Sequence, residues 1–162
     1  MKTLRILFLI ILFLAIKHNI SFAQNVNYSG DWKLNKDKTE SAGTNQYSLS
    51  SLKINLKKDS LLTTRVYVNA NEEEYSFVEN LSLNGKESNI TVFGMPRTSK
   101  AFISKKDGLL HVESTTVVNA EKHSTKEVWQ IEKDGNTLTV FLNTIIPGIE
   151  DKFSKKYFEK AN

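Results

Sequence analysis

From Tyr47 to the end of the chain, apolar and polar residues alternate with a period of two. Leu52, Ile54 and Leu56 alternate with Lys53, Asn55 and Lys57, the pattern of a strand with one buried face. Asp59-Ser60 turns the chain into a second segment, where Leu62, Thr64, Val66 and Val68 form the expected inward row against Thr63, Arg65, Tyr67 and Asn69. A turn through Asn71 leads to Tyr75, Phe77, Glu79, Leu81 and Leu83 on one face. Asn84-Gly85 has the residue types of a type I′ hairpin, which needs positive φ at both central positions. The expected return strand carries Ile90 and Val92 and ends at Gly94-Met95-Pro96. Ala101 to Ser104 reads as a short strand and Asp107-Gly108 as a turn, followed by the inward row Leu110, Val112, Ser114, Thr116 and Val118. Asn119 to His123 connects to a strand with Val128, Trp129 and Ile131, and Asp134-Gly135 turns into Leu138, Val140 and Leu142. Pro147-Gly148 precedes a last strand, roughly Phe153 to Glu159.

The segment Tyr28 to Asn35 reads as the opening strand, with Gly30 bending the backbone and Trp32 plugging one end of the fold. Asn35 to Gln46 is polar and lacks apolar residues at helical spacing, which predicts a surface loop. Strands at intervals of about 8 to 12 residues, separated by turn residues, are an all-β signature. Nearly every link is hairpin-short, so sequential strands should pair. Such a meander removes its edges by closing. The expectation is an antiparallel up-and-down β-barrel of about 8 to 10 strands.

Residues Met1 to Ala23 have the layout of a secretory signal: Lys2 and Arg5, an apolar run from Ile6 to Ile16, then Ser21 and Ala23 at the cleavage-site spacing. The run is shorter than the roughly 20 apolar residues of a membrane span, so no transmembrane segment is expected after cleavage. The expected mature chain, 24–162, is one domain, exported and soluble in the periplasm or medium. Losing Lys2, Arg5 and Lys17 reduces 22 basic residues to 19 against 18 acidic ones, a net charge near +1. With Glu and Lys interleaved as in Glu121-Lys122 and Lys126-Glu127, this argues against nucleic-acid binding. The chain has no Cys, which excludes disulfides, thiol catalysis and Cys-ligated metals.

The tract Gly30-Asp31-Trp32-Lys33-Leu34-Asn35 resembles the Gly-x-Trp opening of lipocalin-like (calycin) barrels, and is closer still to small exported bacterial proteins of that type. Lys38-Thr39, the segment Glu127-Val128-Trp129-Gln130-Ile131 before Asp134-Gly135-Asn136-Thr137-Leu138-Thr139, and the late Lys155-Lys156-Tyr157 extend the similarity to the middle and end of the chain. Lipocalins usually set an Arg from the last strand over the opening Trp; this last strand has only Lys. A Thr-Asp-Tyr signature is also missing. The resemblance implies a lipocalin-like barrel with an interior cavity for a small apolar or amphipathic ligand, and it carries no catalytic residues.

For such a ligand the candidate contacts are Val66, Tyr75, Phe77, Glu79, Trp129 and Val140. Gly30 and Trp32 are structural candidates, and Trp129 equally fits a packing role. Glu79 stands out, because it shares a face with four apolar residues and a buried carboxylate needs a partner; it marks either a polar spot in a cavity, near Arg65, or a strand end or bulge that turns it to solvent. Arg97, beside Pro96 in an expected turn, is either a solvated loop residue or an anion contact at the mouth. His111, Glu113 and His123 make a conceivable metal set, but His111 sits on the more polar face, so neither metal nor cofactor is expected. Asn27, Asn80 and Asn89 begin Asn-x-Ser/Thr triplets, which matter only in a glycosylating host. No Gly-x-Ser-x-Gly, His-Glu-x-x-His or phosphate-cradling glycine loop occurs, so a non-enzymatic role is expected. The alternative to a ligand carrier is an interaction module of the cell envelope built on a side-chain-filled barrel.

Overall fold

The computed structural model describes residues 26–39 and 47–161. The expected export signal and residues 40–46 of the expected first loop lie outside them. Among the described residues no helix is long and apolar enough to cross a membrane. Those residues form ten strands: β1 (Gly30–Leu34), β2 (Tyr47–Leu56), β3 (Ser60–Asn69), β4 (Glu74–Ser82), β5 (Ser88–Val92), β6 (Met95–Ile103), β7 (Leu110–Val118), β8 (Glu121–Ile131), β9 (Thr137–Ile145) and β10 (Lys152–Lys160). They make one antiparallel sheet in the order β4-β3-β2-β1-β10-β9-β8-β7-β6-β5. The first and last strands meet, with Trp32 opposite Lys160 and Leu34 opposite Phe158. The result is an up-and-down barrel, closed except between β4 and β5.

That gap falls where the strongest hairpin was expected. Asn84-Gly85 does turn the chain: Asn84 Oδ1 accepts from the Lys86 N–H at 2.9 Å, and Gly85 has φ of 80°. The strand it meets, however, is β6. Asn84 lies opposite Phe102, and the Gly85 N–H donates to the Ala101 carbonyl at 3.0 Å. Local turn chemistry thus decided the bend but not the partner, and β4 and β5 remain the two free edges of the sheet.

Two further expectations are corrected. Residues 95–97 belong to β6 rather than to a turn, which extends the expected short strand of 101–104 toward the N-terminus. On β3 the inward row is Leu61, Thr63, Arg65 and Tyr67, so Leu62, Thr64, Val66 and Val68 face outward. The cause is register. The Lys57 N–H donates to the Ser60 carbonyl at 2.8 Å, Leu56 stands opposite Leu61, and Leu52 opposite Arg65. Since the side-chain period is two, that alignment commits every β3 residue to a face. A bulge at Ser50, whose hydroxyl donates to the Val66 carbonyl at 3.1 Å, then brings Leu49 and Tyr67 inward together.

One end of the barrel is sealed. Tyr28, Trp32, Leu61, Leu81, Leu110, Leu138 and Phe158 are buried there. Trp32 Nε1–H donates to the Tyr28 carbonyl at 3.0 Å, and the Tyr28 hydroxyl donates to the Trp129 carbonyl at 3.0 Å. Lys160 Nζ lies 5.6 Å from the centre of the Trp32 ring, so a Lys supplies the cation over the opening indole. Gly30 has φ of 148°, and a β carbon there would stand 3.1 Å from Lys160 Cε. Glycine fits both the conformation and the space.

Candidate functional site

Above this seal the interior becomes charged. Arg65 and Glu127, 1% and 4% exposed, face each other from β3 and β8. Arg65 Nη1 donates to Glu127 Oε1 at 2.8 Å and Nη2 to Oε2 at 3.0 Å. Trp129 Nε1–H adds a third bond to Oε2 at 2.7 Å, and the guanidinium lies 5.5 Å from the Trp129 ring centre. A planar fork against a carboxylate with an indole below is the arrangement that suits Arg and not Lys. Burial alone would push the Glu127 carboxyl up, but the charge and hydrogen bonds of Arg65 hold it below the ordinary range. Burial likewise works against the Arg65 charge, and Glu127 more than reverses this, raising its pKa.

A second pair crosses the gap. Arg97 on β6 places Nε 3.3 Å from Glu79 Oε1 on β4 and sits 5.5 Å from the Phe77 ring centre. Glu79 therefore points inward, as its face predicted, but its partner is Arg97. Arg65, expected near Glu79, feels its charge without pairing with it, and the expectation of Arg97 as a turn residue is corrected. Beyond this pair, toward the open end, Phe93 from the β5–β6 turn touches Tyr75 and Phe77 of β4. Three isolated links close the wall in place of a backbone ladder: the Gly85–Ala101 backbone bond, Arg97 with Glu79, and Phe93 with the β4 aromatics.

At the open end lies a cavity of about 580 Å³, lined by Leu34, Leu49, Tyr67, Val140, Leu142 and Ile146 on its apolar side. Arg65 and Glu127 face it as well, and Lys36, Lys152 and Lys156 complete the charged lining. Its volume lies within the roughly 300–1,000 Å³ usual for small-molecule sites. Glu127 is the acid among the described lining residues, and Arg65 already engages it. Three lysines are thus left without an acid in the lining. Lys156 is half-buried, and burial pushes its ammonium below the usual lysine range against the attraction of Glu127.

Of the residues singled out from the sequence, Val140 lines this cavity. Tyr75 and Phe77 stand beside it in the aromatic cluster, and Trp129 lies under Arg65 in the core. Glu79 lies at the gap in the wall and Val66 on the outer face. Val66 as a ligand contact is therefore corrected, since the β3 register turns it away. His111 and Glu113 face outward, where they pair with Asp107 at 3.1 Å and Lys100 at 2.9 Å, while His123 is on the inward face of β8. Among the described residues no group of three His, Cys, Asp or Glu could hold a metal. Arg65, Glu127 and Lys156 lie far apart in the sequence, and nothing local marks them as a unit. The signal available was the Glu-x-Trp spacing at Glu127 and Trp129, which puts a carboxylate and an indole on one face.

No protein-family model matches this chain, and no curated protein is significantly similar to it. The architecture, a nearly closed antiparallel ten-strand barrel among the described residues, is compatible with a calycin-like fold.

Proposed function

We propose that this chain is an exported binding barrel whose open-end cavity takes a small amphipathic molecule with an anionic end. The observation that carries the reading is the cavity of about 580 Å³, whose described lining combines an apolar wall with three lysines and a single acid, Glu127, that Arg65 already engages. An alkyl or ring portion fits against Leu49, Tyr67, Val140 and Leu142. A carboxylate or similar anion would meet Lys156, and its charge would offset the cost of holding that ammonium half-buried. Both oxygens of the one lining carboxylate, Glu127, are engaged by Arg65 and one of them also by Trp129, which favours binding over chemistry. The export pattern of residues 1–23 supports action outside the cytoplasm.

Calorimetric titration with decanoate and decyltrimethylammonium tests this. Decanoate should bind at least tenfold more tightly, since one ion contact of about 1.5 kcal/mol or more is at stake, and Lys156→Met should remove most of the difference. Equal binding of both probes would reject the anionic end, and no binding of either would reject the cavity as a site. A second reading, a partner-binding module, is favoured by one observation: Phe153 and Ile149, near the mouth, are 72% and 52% exposed. Phe153→Ser with Ile149→Ser should leave decanoate binding intact under the first reading and abolish partner capture under the second.

A further inference from the structure

The turn joining β5 to β6 is a two-residue hairpin with Val92 opposite Met95 and φ of 51° at Phe93 and 80° at Gly94. Both values are positive, as a type I′ turn demands, and the first of these positions normally holds Asn, Asp or Gly. A bulky residue there is a conformational outlier, because its β carbon crowds the backbone carbonyl. The local sequence therefore works against Phe93, and its contacts work in its favour.

Those contacts come from four rings. The Phe93 ring centre lies 5.8 Å from Tyr75, 5.9 Å from Phe77 and 6.3 Å from both Tyr47 and Tyr67. Three of the four meet it edge to face, at 79°, 83° and 86°, and Tyr47 is closer to parallel at 24°. These are the favoured geometries of aromatic pairs. Tyr47, Tyr67, Tyr75 and Phe77 all belong to β2, β3 and β4, whereas Phe93 reaches them from the far side of the open seam. The four form a box, and the fifth is its occupant. Tyr47 and Tyr67 also line the cavity, so box and cavity are continuous. Phe93 is 43% exposed, so its ring has an open path outward, and the contacts it would give up are those with these four rings.

We infer that Phe93 is the built-in occupant of an aryl subsite, and that a ligand carrying an aromatic ring displaces it and places that ring among Tyr47, Tyr67, Tyr75 and Phe77. The box is already complementary to a benzene ring, because one fills it. The seam makes the exchange local: the hairpin tip is two residues long, and the strand beyond it has no backbone partner on the β4 side. This inference rests on the proposed use of the adjoining cavity, and it names the chemical class at the end of the ligand opposite the anion.

The test compares 4-phenylbutanoate with decanoate, which share a carboxylate and a carbon count, on the wild type and on Phe93→Asn. Asn-Gly is a favoured type I′ pair, so the variant keeps the turn. Emptying the box removes the competing occupant, and 4-phenylbutanoate should bind about tenfold more tightly if Phe93 fills the box about nine-tenths of the time. Decanoate should change by less than about twofold, the ring contacts being irrelevant to it. Adding Tyr75→Ala to Phe93→Asn should cancel the gain. A second readout uses 4-fluorophenylalanine at position 93: its fluorine signal should move toward the solvent-exposed shift with 4-phenylbutanoate and stay put with decanoate. An unchanged or weaker affinity of 4-phenylbutanoate for the variant, an equal gain for both probes, or an unmoved fluorine signal each overturns the aryl subsite while leaving the cavity reading standing. If neither probe binds either protein, both readings fall together.

Discussion

Consider replacing Glu127 with Gln. The carboxylate accepts from Arg65 Nη1, Arg65 Nη2 and Trp129 Nε1, at 2.8, 3.0 and 2.7 Å. The best-placed Gln keeps its carbonyl oxygen at the Oε2 position and turns its amide nitrogen toward Arg65 Nη1, so a donor meets a donor. The guanidinium stays buried with its charge uncompensated, and Arg cannot shed its proton. Breaking a buried pair from one side costs about 3–5 kcal/mol. Glu79, whose charge Arg65 also feels, places the expectation near the lower end, about 3 kcal/mol. With a urea m-value of about 2 kcal/mol/M, the denaturation midpoint should fall by about 1.5 M.

The partner substitution, Arg65→Met, behaves differently with pH. In the wild type the folded Glu127 carboxyl is held below its ordinary value of 4.5. The pair's stabilisation is therefore complete above that value and is lost as pH falls through the folded one. Without Arg65, burial raises the same carboxyl above 4.5 in the folded state, and the folded protein then binds the extra proton. Arg65→Met should accordingly regain stability as the pH is lowered from 7 toward 5, and Glu127→Gln should not. Arg65→Met with Glu127→Leu should recover to within about 1 kcal/mol of wild type, because apolar replacements of buried pairs are often neutral. Urea titrations of the four proteins at several pH values decide the matter. A cost under about 1 kcal/mol for Glu127→Gln, or a double variant no better than the worse single one, would refute a dry, tightly coupled pair.

Three more outcomes follow from the same geometry. Gly30→Ala should lower stability by about 1–3 kcal/mol through backbone strain at positive φ; Lys160→Ala should not rescue it in a thermal melt, since the nearby Lys160 Cε is the flexible part of the problem. Tyr28→Phe removes a hydroxyl that donates to the Trp129 carbonyl and accepts from the Leu110 N–H, so it should cost about 1–3 kcal/mol and speed hydrogen exchange at the Leu110 amide. Decanoate affinity should fall as pH rises through the depressed pKa of Lys156, below the usual lysine range, and Lys156→Met should flatten that part of the profile in calorimetry.

Legibility in the sequence followed the range of the interactions involved. Leu52-Ile54-Leu56, Leu110-Val112-Ser114 and Leu138-Val140-Leu142 face inward as their period of two requires, because burial acts on each residue separately. Trp32 is buried at the sealed end for the same reason. On β3 the more apolar row, Leu62, Val66 and Val68, faces outward, so the period of two points to the wrong face there. Arg65 is admitted to the interior by Glu127, 62 residues further on, and no window of sequence contains that compensation. Glu79 was visible as an anomaly, but its partner Arg97 was not, since the two are joined only where β4 and β6 approach across the gap. The aromatic box was legible as residues and illegible as a unit. Tyr47, Tyr67, Tyr75 and Phe77 become neighbours through three strand registers, and Phe93 joins them from a turn whose residue type signals no such bend.

The position of the seam ties these features together. Pairing of β1 with β10 closes the sheet at the chain's own ends, which leaves the middle of the chain to carry the free edges. Free edges normally invite other strands. Here β5 is five residues long, the chain just past β4 is bridged to β6 at Asn84, and the remaining length is spanned by an ion pair and a ring cluster. Side-chain links of this kind have separate partners and can break one at a time, unlike a ladder of backbone bonds. The apolar seal beneath and the Arg65–Glu127 floor do not depend on them. A barrel so built can loosen along one line at its open end while its base stays fixed, which is what exchanging an internal ring for a ligand's ring requires.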